Sequence, residues 1–176
     1  MATLYTIGHS TRTLDGLVSA LKAHDIQTLV DIRAFPMSRR LPHFNRESLE
    51  HSLPEQGIRY IWAKELGGYR KATRKDSPHT ALRNASFRNY ADYTLTPEFE
   101  QAAAELLQIA GVSRTAYMCA ERVYFRCHRM IVSDWLVAHG HEVLHIDAEG
   151  PVRPHQLLAD ARVIDGQVIY RGDHLF

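Results

Sequence analysis

Hydrophobic positions along the chain alternate between two spacings. Leu4, Tyr5 and Ile7 form a short apolar run that stops at Gly8, the mark of a strand. Leu14, Leu17, Val18 and Leu21 then fall at i, i+3, i+4 and i+7, one face of a helix, with Thr13 placed to cap it. Thr28 to Ile32 reads as a second strand and Ile58 to Trp62 as a third. Between them, residues 33–45 carry Pro36, Pro42 and several arginines and read as a loop. Asn45 stands before a helix through Leu49 and Leu53, closed by Gly57, with Pro54 predicting a fray or kink. Residues 63–86 are polar and basic without a clear period, so a long loop is expected. A short helix at 87–93 is followed by a longer one that starts after Thr96, with Pro97 first and Gly111 ending it. Thr115–Cys119 is a fourth strand, 127–139 a helix apolar on most sides, and Glu142–Ile146 a fifth strand. Asp165-Gly166 between Val163-Ile164 and Val168-Ile169-Tyr170 signals a hairpin.

Strands separated by helices imply a mostly parallel sheet covered on both faces. The expected fold is therefore α/β, a single three-layer domain over 1–176 with a roughly five-stranded sheet. Residues 146–176 form a C-terminal extension that carries the hairpin. The length of 176 residues suits one domain with a core that needs no disulfide or metal staples. The chain carries 21 Lys+Arg against 20 Asp+Glu, so bulk charge gives no argument for nucleic acid or membrane binding. No run approaches the roughly 20 apolar residues of a membrane span, and a cytoplasmic protein without a signal peptide is expected. Two cysteines, Cys119 and Cys127, make no secreted disulfide framework.

In open parallel sheets, ligands bind beyond the carboxyl ends of the strands. The strands predicted here deliver Gly8, His9 and Ser10 to that edge, then Asp31 and Arg33 with Ser38, Arg39 and Arg40, then Cys119, Glu121 and Arg122. The following helix opens with Cys127, His128 and Arg129. Between Arg33 and Lys75 ten Lys/Arg face four Glu, with Phe35, Phe44, Tyr60, Trp62 and Tyr69 interleaved. Basic groups suit phosphates and aromatic faces suit bases, although such a run also makes an ordinary solvated surface. Arg122, Arg126 and Arg129 beside a helix amino end suit an anion, or else pair with Glu121, Asp134 and Asp147. Cys119 and Cys127 have three readings: a nucleophile activated by arginines and a helix amino end, metal ligands with His9 and His128, or small buried hydrophobes. The C-x7-CH spacing matches no standard metal signature, so no metal or other cofactor is expected. His139, His141 and His145 show no ligand spacing.

The segments TIGHST at 6–11, VDIRAFPMSRR at 30–40, PHFN at 42–45, ELGG at 65–68 and CAER…CHR at 119–129 together resemble a bacterial group catalogued as domain-of-unknown-function family 488. The resemblance runs through about His145 and implies one α/β domain with a polar pocket built from these motifs; it carries no established reaction. VYFR at 123–126 is more apolar than the linker expected there, which puts a freely exposed loop in question. A weaker similarity joins LVDIR to the early Asp-x-Arg strand end of rhodanese-like domains, but the compact six-residue loop around their nucleophile is absent.

The expected function is recognition of a phosphate-bearing ligand, a nucleotide or nucleic acid, at the carboxyl edge. In that reading Arg33, Arg39, Arg40 and Arg129 hold anionic oxygens, with Arg122, Cys127 and His128 beside them. His9 and Glu121 are the acid/base candidates, Asp31 orients a basic partner, and Cys119 lines the pocket as a possible nucleophile. Gly8 and Ser10 shape its floor. A hydrolase or transferase acting on nucleotides fits this set. So do a cysteine-dependent sulfurtransferase or phosphatase and a non-catalytic sensor of anionic ligands.

Overall fold

The computed structural model describes residues 1–147 and 151–172. Residues 148–150 and 173–176 of the C-terminal extension lie outside the described residues. Six strands form one sheet: β1 (Thr3–Gly8), β2 (Thr28–Asp31), β3 (Arg59–Trp62), β4 (Thr115–Cys119), β5 (Glu142–His145) and β6 (Arg153–Pro154). Their order is β3-β2-β4-β1-β5-β6, parallel except for the antiparallel pair β5–β6. Five helices cover it: α1 (Leu14–Ala23), α2 (Arg46–Glu55), α3 (Ala85–Tyr93), α4 (Pro97–Val112) and α5 (Arg129–Ala138). The remaining strands, β7 (Ala161–Ile164) and β8 (Gln167–Tyr170), make a separate hairpin. No helix among the described residues is long and apolar enough to cross a membrane.

The helix ends follow from local chemistry. Thr13 accepts from the Gly16 amide at 3.0 Å, and Thr96 from the Phe99 amide at 3.3 Å. Gly57 takes φ +75°, and the Ile58 amide returns to the Leu53 carbonyl, which stops α2 one residue past Pro54. Asn45 precedes α2 as expected, but its side chain does not cap it; Oδ1 accepts from the Ser38 amide at 2.6 Å and closes the 38–45 loop instead. Gly111 does not end α4, because the helix continues to Val112. In the hairpin, Asp165 and Gly166 take φ 50° and 76°, the paired left-handed conformation of a type I′ turn. The two-residue strand β6 was not predicted, since Arg153-Pro154 has no strand pattern. Proline is tolerated there because the strand lies at the sheet edge.

Alternation along the strands sorts the core into two layers. Tyr5, Ile7, Leu29, Ala116 and Met118 pack with Leu17, Leu21, Leu49 and Leu53 of α1 and α2. Leu4, Val30, Tyr117 and Cys119 pack with Tyr90, Phe99, Leu106, Met130 and Ile131 of α3, α4 and α5. The chain therefore leaves β1 on one face and β4 on the other, although these strands are neighbours. That is the switch point where an open α/β sheet forms a crevice. The hairpin docks on the second layer, with Val168 and Tyr170 buried there.

The crossing at the switch point is tight. A Cβ on Gly8 would sit 1.7 Å from the Glu121 carbonyl oxygen, whereas one on Gly111 would meet nothing within 4 Å. Gly8→Ala is expected to destabilise by about 3 kcal/mol or more, as strain in a fixed backbone crossing does. Gly111→Ala is expected to stabilise by about 0.5–1 kcal/mol through helix propensity. Urea unfolding of the two variants checks both signs.

Candidate functional site

The strand ends at the switch point are joined by backbone bonds. The His9 and Ser10 amides donate to the Cys119 and Ala120 carbonyls at 3.0 and 2.9 Å, and the Ile32 amide to Met118 at 2.9 Å. Two clefts open above them. The first, about 250 Å³, is lined by Arg33, Phe35, Gly68, Tyr69, Cys119, Glu121, Cys127 and His128, among others. The second, about 430 Å³, is lined by His9, Ser10, Thr11, Arg33, Ser38, Glu121 and Arg122, among others. Arg33, Phe35, Ala120 and Glu121 belong to both.

Strand parity sends Asp31 to the α1/α2 side. It is fully buried and collects donors: Arg33 Nε at 2.9 Å, Arg33 Nη2 at 2.6 Å, the Arg33 amide at 3.1 Å and the Tyr60 hydroxyl at 2.5 Å. Arg33 Nη2 also donates to the Phe44 carbonyl at 2.7 Å, and Nη1 faces His9 Nε2 at 3.3 Å. Burial alone would lower the Arg33 pKa, but the bond to and charge of Asp31 raise it. Burial and the Asp31 carboxylate push Tyr60 upward. His9 Nδ1 donates to the Ser10 carbonyl at 2.9 Å, so Nε2 carries the lone pair and accepts from Arg33. Burial, reinforced by the Arg33 charge, brings His9 down to about 4. Two sequence expectations change here. His9 is neutral with its free lone pair already engaged, and four of the five Arg33 donors point at protein acceptors. Neither is arranged to receive a ligand proton or to clamp an anion.

The same parity sends Cys119 to the α5 side, where it meets Cys127, and both thiols are free. The two thiols and the Arg129 guanidinium lie near enough to shift one another's ionisation, and the Cys119 thiol donates to the Glu121 carbonyl at 3.6 Å. Burial opposes ionisation of Cys119, but the neighbouring Cys127 and the charge of Arg129 outweigh it, and its pKa falls below the ordinary thiol value. Burial and the adjoining Cys119 raise Cys127 well above that value. The Arg129 amide, at the amino end of α5, donates to Cys127 Sγ at 3.2 Å. His128 Nε2 donates to the Ile32 carbonyl at 2.8 Å, and burial lowers its pKa to about 4. Its Nδ1 therefore offers a lone pair to Cys127 Sγ at 3.7 Å. Gly68 rests on this ring; a Cβ there would lie 2.4 Å from Nδ1.

Arg129 is 1% exposed and lines neither of these two clefts. It donates to the Glu121 carbonyl at 2.8 Å, the Arg122 carbonyl at 3.1 Å and the Thr6 hydroxyl at 3.2 Å, and its Nε is buried without a partner. Thr6 meets His145 Nδ1 at 2.6 Å, His145 Nε2 meets His155 Nδ1 at 2.8 Å, and His155 Nε2 meets Asp134 Oδ1 at 2.7 Å. Tyr170 donates to the other Asp134 oxygen at 2.7 Å. A consistent proton order runs from Arg129 through the Thr6 hydroxyl and both imidazoles to the carboxylate. Burial, with the neighbouring His155 and Arg129, holds His145 near 3, and Tyr124 stacks on its ring at 3.8 Å. Sequence reasoning missed Thr6, His145, His155, Asp134, Tyr170 and Tyr60 as site support. The only usable signal was the register itself, which sets Thr6 beside His145 on paired strands.

The structure thus brings Gly8, His9, Ser10, Arg33, Cys119, Glu121, Cys127 and His128 to one edge, with Asp31 and Arg129 buried beneath. Arg39 and Arg40 are exposed and line neither cleft. Arg122 pairs with Asp147 at 3.3 Å. Among the described residues, no group of three or more His, Cys, Asp or Glu is placed to hold a metal ion.

Fold and site together define a three-layer α/β protein with a thiol-lined cleft at the switch point of its sheet. The chain belongs to the family described as Domain of unknown function DUF488, which it matches over residues 13–136. That span holds Asp31, Arg33, Cys119, Cys127 and Arg129, and leaves His145, His155 and Tyr170 outside. No curated protein and no solved structure matches the chain.

His9, His128 and His145 are held neutral in the fold, with pKa values of about 4, 4 and 3. Unfolded histidine titrates near 6.5, so below that pH the unfolded chain binds more protons and stability falls as pH drops. Each contributes a loss of about 2 kcal/mol at pH 5 relative to pH 7.5. Urea unfolding at the two pH values measures it, and equal midpoints would contradict the buried neutral histidines.

Proposed function

We propose that the protein is a cysteine-dependent transferase whose nucleophile is Cys119 and whose substrate is negatively charged. One observation carries this reading: the Cys119 sulfur lines an open cleft at the end of β4 with the buried Arg129 cation against it. A thiol is a useful nucleophile only as the thiolate, and a fixed neighbouring cation favours that form. Arg33, ion-paired with Asp31, forms part of the cleft wall. Glu121 is exposed at the rim of both clefts, where it can exchange protons with an entering substrate.

A specific observation favours a second reading, in which the ligand is phosphate-bearing, such as a nucleotide or a nucleic-acid end. Phe35 and Tyr69 are largely exposed at the mouth of the first cleft, their rings 5.8 Å apart, and can stack on a base. Arg39 and Arg40 stand exposed on the same 33–45 loop as Phe35 and supply charge for phosphates. In this reading the cleft serves either catalysis or ligand sensing, and product formation separates the two.

The first reading predicts that iodoacetamide alkylates Cys119 readily at pH 7 and that Cys119→Ser abolishes this fast phase. Peptide mapping that finds Cys119 unmodified below pH 9 would remove it as the nucleophile. The second predicts that a short single-stranded oligonucleotide binds with affinity that falls as salt rises. The double variant Arg39→Ala/Arg40→Ala should weaken it roughly tenfold or more, as loss of two phosphate contacts does. Binding indifferent to salt and to both substitutions would count against it.

A further inference from the structure

We propose that Cys119 and Cys127 act as a nucleophile and resolving pair, and that the bond this cleft attacks is a disulfide. The inference rests on Cys119 as nucleophile and adds its partner thiol and the class of substrate. Both cysteines line the same cleft and are near enough to perturb each other's ionisation. They are not equivalent. Cys119 sits at a strand end near the charge of the buried Arg129 guanidinium, whose Nε–H has no acceptor. Cys127 is oriented by the Arg129 amide at 3.2 Å, and its sulfur lies 3.7 Å from His128 Nδ1. Gly68, pressed on that imidazole, and the Ile32 carbonyl, bonded to its Nε2, keep the lone pair aimed at Cys127.

This arrangement suits disulfides better than the other chemistries open to a cysteine. Phosphoryl transfer needs several free donors around the transferring group. Of the two arginines nearest the thiols, Arg33 is engaged by Asp31, Phe44 and His9, and Arg129 by Thr6 and two carbonyls. A sulfur carrier must hand on the terminal sulfur of a persulfide, and an adjoining thiol would displace it as hydrosulfide. For a disulfide substrate the adjoining thiol completes the reaction. The Cys119 thiolate attacks one sulfur of R–S–S–R, the S–S bond breaks, and R–S⁻ leaves with the electron pair and takes a proton from solvent. Cys127 then attacks Cys119 Sγ; the second R–S⁻ leaves with its electron pair and takes the proton given up by Cys127. The substrate is reduced to two thiols while the protein dithiol is oxidised to a disulfide, so electrons and protons balance.

The test uses the full chain, reduced and freed of reductant, with dithiodiglycolate, a small dianionic disulfide, and intact-mass readout. Wild type is expected to end about 2 Da lighter with no adduct, having released about two equivalents of mercaptoacetate. Cys127→Ser is expected to stop at a mercaptoacetate adduct on Cys119. The wild-type result needs no variant to fold. If wild type itself stops at that adduct, or is alkylated at Cys119 by iodoacetamide yet inert to the disulfide, the pairing is overturned while Cys119 as nucleophile stands. If neither reagent modifies Cys119 at pH 7, both proposals fall.

Discussion

A guanidinium buried in a protein interior has to be surrounded by acceptors, and Arg129 organises much of this molecule around that need. It draws the Glu121 and Arg122 carbonyls inward, which shapes the loop after β4. It fixes Thr6 on the central strand and, through two imidazoles, reaches the carboxylate of Asp134. Tyr170 of the C-terminal hairpin closes the same chain, so a segment beyond the family match is anchored to the site's electrostatics. The positive charge that remains at the end of this chain faces Cys119. Separating such a buried charge from its partners costs about 3–5 kcal/mol, which makes the arrangement rigid.

A second charged centre lies across the sheet. Asp31 and Arg33 neutralise each other, and Tyr60, Phe44 and His9 complete their shell. The two centres divide the labour of the carboxyl edge. One braces the wall shared by both clefts, and the other sets the chemistry of the thiols. His9 and Asp31, two of the catalytic candidates in the sequence, and Arg33, a candidate anion ligand, form the brace.

The α/β architecture was legible because the periods of β1, α1, β4 and the hairpin are clean and their caps are ordinary. Convergence at one edge followed from the rule that parallel strands present their carboxyl ends together. What each residue does there was not legible. Whether Arg33 meets a ligand or Asp31 depends on side chains that fold back over two residues, and no pattern of residue types reports that. The buried relay was hidden for a different reason. His145 and His155 lie on either side of a break in the pattern, and Thr6 and Asp134 are about 128 residues apart in the chain. Only the β1–β5 register and the packing of α5 bring them together. The edge strand β6 escaped because two residues carry no period.

The main-chain crossing of Gly8 and Glu121 lies where the thiol-bearing hollow meets its larger neighbour, since Glu121 lines both. Main-chain atoms make the crossing, so its position is indifferent to the identity of residue 121, whereas that residue borders both compartments. Exchanging that one side chain would retune the selectivity of two chambers at once without displacing either sulfur, an economical handle for redesign.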